Sequence, residues 1–246
     1  MRRAVGSVAV GSLDDLLDVQ SLDTQGDQLR HRREHLPEIA ELERVRSERA
    51  DADRRAEVVR SRLHDLRSRQ KALEDEAALV EDKAADVERK LYDGSVQAHK
   101  ELEAFQADHR MLKARQSELE DGAIELMEAA EPVEAELAVL DGTVADRDED
   151  VERLAAELDA ARTAVDAELD DVAARRQLAA SGLPDEVMEV YEPLRTRMGG
   201  IGAARLTGAR CEGCHLEIPS AELEAVRKAP PEAVVTCPEC GRILVR

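Results

Sequence analysis

Residues 45–94 read VRSERADADRRAEVVRSRLHDLRSRQKALEDEAALVEDKAADVERKLYDG. Val45, Ala52, Val59, Leu66, Leu73, Val80 and Val87 recur every seven residues. Ala56, Leu63, Ala77, Ala84 and Leu91 keep step four residues behind, with Gln70 the polar exception. Spacings of three and four sustained over so many turns predict a helix that buries a narrow seam against a second helix. Upstream, Leu22, Leu29 and Leu36 hold the same period, and Pro37 is expected to perturb the seam locally. A second seam runs downstream through Leu102, Phe105, His109, Leu112, Gln116, Leu119, Ala123, Leu126, Ala130, Val133, Leu137, Leu140 and Val144. It continues through Arg147, Val151, Leu154, Leu158, Ala161, Val165 and Val172. Between the two seams, Gly94 in Tyr92-Asp93-Gly94-Ser95 can take the left-handed conformation that ends a helix, and Ser95 can cap the next. The reading is a mainly α chain: a long antiparallel coiled-coil hairpin over 12–180, its tip near 92–95. Each arm would extend about 120 Å if unbroken. Glu131-Pro132 and Asp141-Gly142 predict kinks or breaks in the second arm.

Composition agrees. The 246 residues carry 55 acidic and 35 basic side chains, a net charge of −20, and only three aromatics, Tyr92, Phe105 and Tyr191. So few large apolar side chains argue against a TIM barrel, a Rossmann sheet or a β-sandwich, and against a deep substrate pocket. Residues 12–75 hold 13 basic and 16 acidic side chains, whereas 118–171 hold 3 and 20. A fold at Gly94 would set Arg54, Arg55, Arg60, Arg62, Arg67, Arg69 and Lys71 opposite Glu118, Glu120, Glu125, Glu128 and Glu131. Each exposed pair is worth roughly 0–1 kcal/mol, but together they select this pairing. No run approaches the roughly 18 apolar residues of a membrane helix, and residues 1–11 read as a flexible start rather than a secretory signal. A cytoplasmic protein is expected, in which cysteines bind metal rather than form disulfides. The turn at Asp93-Gly94 favours a monomer, with a dimer formed by exchanged arms left open.

After Ser181-Gly182, residues 181–202 predict a short helix from Pro184 to about Met198 and a connection through Gly199-Gly200-Ile201-Gly202. That glycine run lacks the lysine and preceding strand of a phosphate loop and reads as a hinge or tight turn. Residues 203–246 hold all four cysteines, in Cys211-Glu212-Gly213-Cys214 and Cys237-Pro238-Glu239-Cys240-Gly241. Thiolates at i and i+3 on a tight turn converge, and two such knuckles close a tetrahedral four-cysteine shell around one structural Zn2+. Gly213 and Gly241 are expected to let the backbone turn back. Strands are expected at 203–207, 233–236 and 242–246. A helix over 221–228 should follow Pro219-Ser220 and stop at Pro230-Pro231. With so little core, metal binding would supply most of this module's folding energy.

These residues together resemble the bacterial C4-type zinc ribbon proteins that carry an N-terminal coiled-coil hairpin. The resemblance spans residues 12–246. It is carried by Leu16-Leu17-Asp18-Val19-Gln20-Ser21-Leu22-Asp23, by Leu91-Tyr92-Asp93-Gly94-Ser95 with Lys100-Glu101-Leu102, and by Gly199-Gly200-Ile201-Gly202 with Ala204-Arg205-Leu206. Cys211-x-x-Cys214 and Cys237-x-x-Cys240-Gly241-Arg242-Ile243-Leu244 complete it. The resemblance implies that Cys211, Cys214, Cys237 and Cys240 are the zinc ligands and that the role is not enzymatic. Members of the family are described as nucleic-acid-binding or regulatory proteins, and some act as adaptors or chaperones for an alternative sigma factor, flagellar messages or secretion components.

No Ser/His/Asp arrangement or phosphate loop signals catalysis, and no small-molecule substrate is expected. The favoured reading is an adaptor or regulatory protein whose acidic hairpin and zinc ribbon engage a protein client. The alternative is an RNA or DNA binder using Arg205, Arg210, Arg227, Lys228 and Arg242 of the ribbon. Residues 205–246 balance six basic against six acidic side chains and contain no aromatic. Phosphate contact wants a basic patch and base stacking wants rings.

Overall fold

The computed structural model describes residues 13–94, 98–230 and 233–246. The flexible start over 1–11, the Ser95 cap and the stop at Pro231 lie outside the described residues. Helix α1 spans Asp15–Glu34, α2 Pro37–Tyr92, α3 His99–Ala180, α4 Asp185–Arg197 and α5 Ser220–Lys228; strands β1 (Ala203–Thr207), β2 (Arg210–Cys211) and β3 (Ile243–Val245) complete the chain. Two compact units result. One is Ala40–Ala155; the other joins the chain up to Ile39 with Ala156–Arg246. The boundaries read from sequence, at 180 and 202, do not coincide with this division.

The unit formed by Ala40–Ala155 is the helical hairpin. Its seam is the one read from spacing: Ala56, Val59 and Leu63 pack with Ala130, Val133 and Leu140, and Ala77 and Val80 pack with Leu119. Small Ala56 and Ala84, both fully buried, let the helices approach closely. Gln116 is also buried, with Lys113 donating to its side chain at 3.1 Å and its own amide donating to Glu120 at 2.7 Å. The left-handed turn falls where expected, with Gly94 at φ 77°. The second helix starts only at His99, however, and the register shifts accordingly. Arg67 reaches Glu134 at 2.8 Å and Arg60 reaches Asp141 at 3.1 Å, not the Asp121 and Glu128 that a fold centred on Gly94 would supply. Glu76–Arg115 and Arg49–Asp148 also pair between these helices. Arg54 and Lys71 pair within α2, with Asp51 and Asp75.

Neither expected break occurs in α3. Pro132 sits inside an uninterrupted helix. It removes the hydrogen bond to the carbonyl of Glu128, but both residues face solvent, where water can take that carbonyl, while Ala130 and Val133 remain buried in the seam. Gly142 is likewise absorbed, and a Cβ placed on it would meet nothing within 4 Å. Pro37 perturbs the chain locally, as expected, by opening a new helix, with His35 and Leu36 separating α1 from α2.

In the other unit, Leu16 and Val19 of α1 pack with Leu183, Val187, Tyr191 and Leu194 of the α4 region and with Ala203 and Ile243 of the ribbon sheet. The sheet order is β2-β1-β3, β1 antiparallel to β2 and parallel to β3. The strand expected at 233–236 is reduced to a single bridge from Thr236 to Ile243.

Gly142→Ala is expected to stabilise the hairpin by about 0.5–1 kcal/mol, because alanine restricts the unfolded chain and meets no obstacle in the helix. Thermal unfolding followed by circular dichroism checks this; an unchanged or lowered midpoint would mean that position 142 is not helical.

Candidate metal centre

Each knuckle is built by the same backbone pattern. The amide of His215 donates to the Cys211 carbonyl at 2.7 Å, and that of Gly241 to the Cys237 carbonyl at 2.8 Å. The amides of Cys211 and Cys237 donate in turn to the carbonyls of Leu216 and Arg242, at 3.1 and 2.8 Å. Closing such a turn needs a left-handed residue just after the second cysteine. Gly241 fills that role at φ 77°, and His215, not Gly213, fills it in the first knuckle at φ 62°. Aligning the two Cys-x-x-Cys-x segments shows His215 at the position of Gly241, a signal the motif alone leaves unread. Gly213 is small for another reason. A Cβ there would lie 2.7 Å from Cδ of Arg242 and 2.8 Å from Cβ of Ala204.

The four sulfurs converge. Cys211, Cys214, Cys237 and Cys240 place their Sγ atoms all within 4.8 Å of one another, with Cys211–Cys240 at 4.0 Å and Cys214–Cys237 at 3.9 Å. A zinc tetrahedron with Zn–S bonds of about 2.3 Å has edges of roughly 3.8 Å, so the donor set can close on the ion by small side-chain adjustments. Ala204, Ile218, Leu223, Val226 and Leu244 pack around Cys211 and Cys237. Four thiolates close the shell and leave no position for water, so this is one structural zinc site. Burial pushes the Cys211 thiol up to about 12 and raises Cys237 as well. Burial also opposes ionisation of Cys240, but the backbone N–H and side chain of Arg242 and the neighbouring thiols outweigh it and bring that thiol below its usual value. Zinc must displace protons from these thiols to bind.

The basic side chains of the ribbon are not gathered into one patch of free charge. Arg242 donates to the carbonyls of Ile201, Gly213 and Met198 at 3.0, 3.1 and 3.4 Å, tying the glycine connection to the first knuckle. Arg205 pairs with Asp14 at 3.4 Å and Lys228 with Glu224 at 2.7 Å. Arg227 donates to the Gly208 carbonyl in the β1–β2 turn, two residues before exposed Arg210.

The connection over 199–202 is a tight turn held from α1. Gly199 and Gly200 take positive φ. Gln20 donates to the Gly200 carbonyl at 2.8 Å, and its Oε1 accepts from the amides of Gly202 and Ala203 at 2.6 and 3.2 Å. Gly202 lies under Tyr191, whose ring would be 2.9 Å from an added Cβ. Tyr191, fully buried, donates its hydroxyl to Asp23 at 2.8 Å. Arg176 of α3 and Arg195 of α4 bring guanidinium groups to the same carboxylate, at 3.1 and 3.4 Å. Burial and the bond to Asp23 raise the Tyr191 phenol far above its usual value, so it remains a donor. Burial disfavours charge on Arg176, but Asp23 and Glu192 overcome it and hold the guanidinium above its ordinary value. Sequence reasoning isolated this stretch, Leu16 to Asp23, only as a point of resemblance; its physical role is this network.

The fold and the site agree with known families. Residues 19–199 match the CT398-like coiled coil hairpin domain, and residues 210–244 match the C4-type zinc ribbon domain. The chain therefore belongs to the CT398-like hairpin family with a C4-type zinc ribbon. It is 33% identical over 238 residues to the uncharacterized protein Rv2229c of Mycobacterium tuberculosis, covering 94% of each chain. It is 28% identical over 231 residues to the uncharacterized protein ML1638 of Mycobacterium leprae, covering 92% of this chain and 96% of that one. A solved structure from Mycobacterium smegmatis superposes with a TM-score of 0.84 at 28% identity, over 95% of this chain and 97% of the other. That of CT398 from Chlamydia trachomatis superposes at 0.68 and 20% identity, over 95% and 96%, and shares the fold.

Cys211→Ser is expected to lower bound zinc from one ion per chain to none at neutral pH, while far-ultraviolet circular dichroism loses no more than the share of α5. Elemental analysis and dichroism check both; a large loss of helicity would mean that ribbon and hairpin unfold as one. In the intact protein, lowering the pH through the thiol titrations is expected to weaken zinc binding steeply, as protons compete for the sulfurs; a pH-independent affinity, measured against a chelator, would contradict this. Gln20→Leu strands the amides of Gly202 and Ala203 and is expected to cost about 1–3 kcal/mol in denaturant unfolding, whereas a neutral effect would show that other groups satisfy them.

Proposed function

We propose that the protein is a non-enzymatic adaptor or regulatory factor, in which an acidic helical hairpin and a zinc ribbon engage a protein client. What supports this reading over nucleic-acid binding is the fate of the ribbon's cations. Arg242 is held by three backbone carbonyls, Arg205 and Lys228 are ion-paired, and Arg227 rests on a carbonyl. Phosphate recognition would compete with those contacts, on a chain whose net charge of −20 repels a polyanion. The ribbon exposes Leu216 at 51%, and the glycine connection leading into it exposes Ile201 at 38%, apolar side chains suited to a protein surface. The absence of a coordination position for water on a closed four-cysteine site supports a structural rather than a chemical use of the metal.

No helix among the described residues is long and apolar enough to cross a membrane. This, with reduced cysteines committed to metal, supports a cytoplasmic place of work.

Ultraviolet crosslinking and pull-down from native cytosol tests the reading, comparing the wild type with a Cys237→Ser, Cys240→Ser variant. One protein partner that survives nuclease treatment and depends on the intact ribbon is expected. Enrichment of RNA or DNA by the wild type alone would overturn the ranking and make Arg210 and Arg227 the first residues to change.

A further inference from the structure

The two flanks of the hairpin seam differ in how their charges are met. Arg60 and Arg67 follow the seam residues Val59 and Leu66, and both reach carboxylates of α3. Arg55, Arg62 and Arg69 instead precede Ala56, Leu63 and Gln70, which places them on the opposite flank, one every two turns. None of the three has an ion pair or side-chain hydrogen bond among the described residues. Glu76 and Arg115, each also preceding a seam residue, pair at 2.9 Å and show that this flank is shared by the two helices. Opposite Arg69 and Arg62, however, α3 carries Gly122 and Ala129 at the corresponding positions, and opposite Arg55 it carries Glu136, with which no ion pair forms among the described residues.

Glu136 lines an open groove with Arg55 and Val58. Glu125 and Asp146 stand one helical turn beyond Gly122 and Thr143, exposed and without ion pairs among the described residues. The level of each follows from the contacts already fixed. Ala77 packs with Leu119 and Leu73 abuts Gly122, so Asp146 lies about a turn and a half along the axis from Arg55, within reach of a long side chain. Arg67 lies beside Glu134, so Glu136 falls within about a turn of Arg62. Leu73 abuts Gly122, which brings Glu125 within about a turn of Arg69. Val58, 71% exposed, and Val139, 70% exposed, are similarly close in level.

We propose that two copies of this chain pair through this flank, about a two-fold axis parallel to the helices. That operation preserves level and lays α2 of one copy on α3 of the other. Arg55, Arg62 and Arg69 of each copy then meet Asp146, Glu136 and Glu125 of the other, and Val58 meets Val139. A two-fold perpendicular to the helices would set arginine on arginine and is disfavoured by like-charge repulsion. The face is complementary to itself in one arrangement only, and this pairing is independent of what the ribbon engages.

Sedimentation equilibrium of the full chain with zinc bound tests the proposal at low and high salt. The wild type is expected to reach twice the monomer mass with a dissociation constant on the order of 10 µM, weakening as salt screens the pairs. Arg55→Glu/Arg62→Glu/Arg69→Glu and Glu125→Arg/Glu136→Arg/Asp146→Arg should each remain monomeric with helicity intact, and their equimolar mixture should form a one-to-one dimer. A wild type that stays monomeric well above that range would overturn the proposal and leave the arginines to an acidic helix of another protein. A mixture that fails to associate, or a charge-reversed chain that still dimerises alone, would overturn it as well.

Discussion

Asp23 is nearly withdrawn from solvent, its side chain 8% exposed, and the packing of its unit depends on how that charge is met. A buried carboxylate left unpaired costs several kcal/mol. Tyr191 donates to it from α4, and Arg176 and Arg195 approach from α3 and α4. One turn earlier on α1, Gln20 holds the backbone on both sides of the glycine turn that leads into β1. Three separate stretches of chain are thereby fixed to one helix. The first ribbon strand starts from a set position, and β3 pairs beside it with Ile243 buried against the same core.

The zinc site then inherits its geometry from both sides. β1 delivers the chain to the first knuckle, and β3 leaves the second. Arg242 spans the two, with its guanidinium on the carbonyls of the glycine turn and of Gly213. The metal closes the module locally, while the Gln20–Asp23 network determines where it sits on its own unit. The glycine segment is consequently a fastened corner, not a free hinge.

Much of this was legible in the sequence, for definite reasons. Seam residues repeat because helix geometry repeats, so the spacing that named Val45 to Val87 and Leu102 to Val172 named the buried face. Cysteine pairs at i and i+3 have few uses, and four of them specify one ion. Register was less legible: seven-residue periodicity fits any offset by whole heptads, and only the start of α3 at His99 decides between them. Pro132 and Gly142 carry strong local signals against helix, yet long flanking seams override them. The Asp23 network could not be read, because its members lie far apart along the chain and each alone is an ordinary polar residue. Tyr191, one of three aromatics and the only fully buried one, was the available clue.

The central claim is that α1 fastens the ribbon through Gln20 and the Asp23 network. Amide hydrogen exchange on the zinc-loaded protein, wild type against Gln20→Leu, tests it most directly. The account predicts slow exchange at Gly202 and Ala203 in the wild type. In the variant, protection there and in neighbouring β1 should fall, with the hairpin over 40–155 unaffected. Rapid exchange at Gly202 and Ala203 in the wild type, or identical profiles in the two proteins, would contradict it.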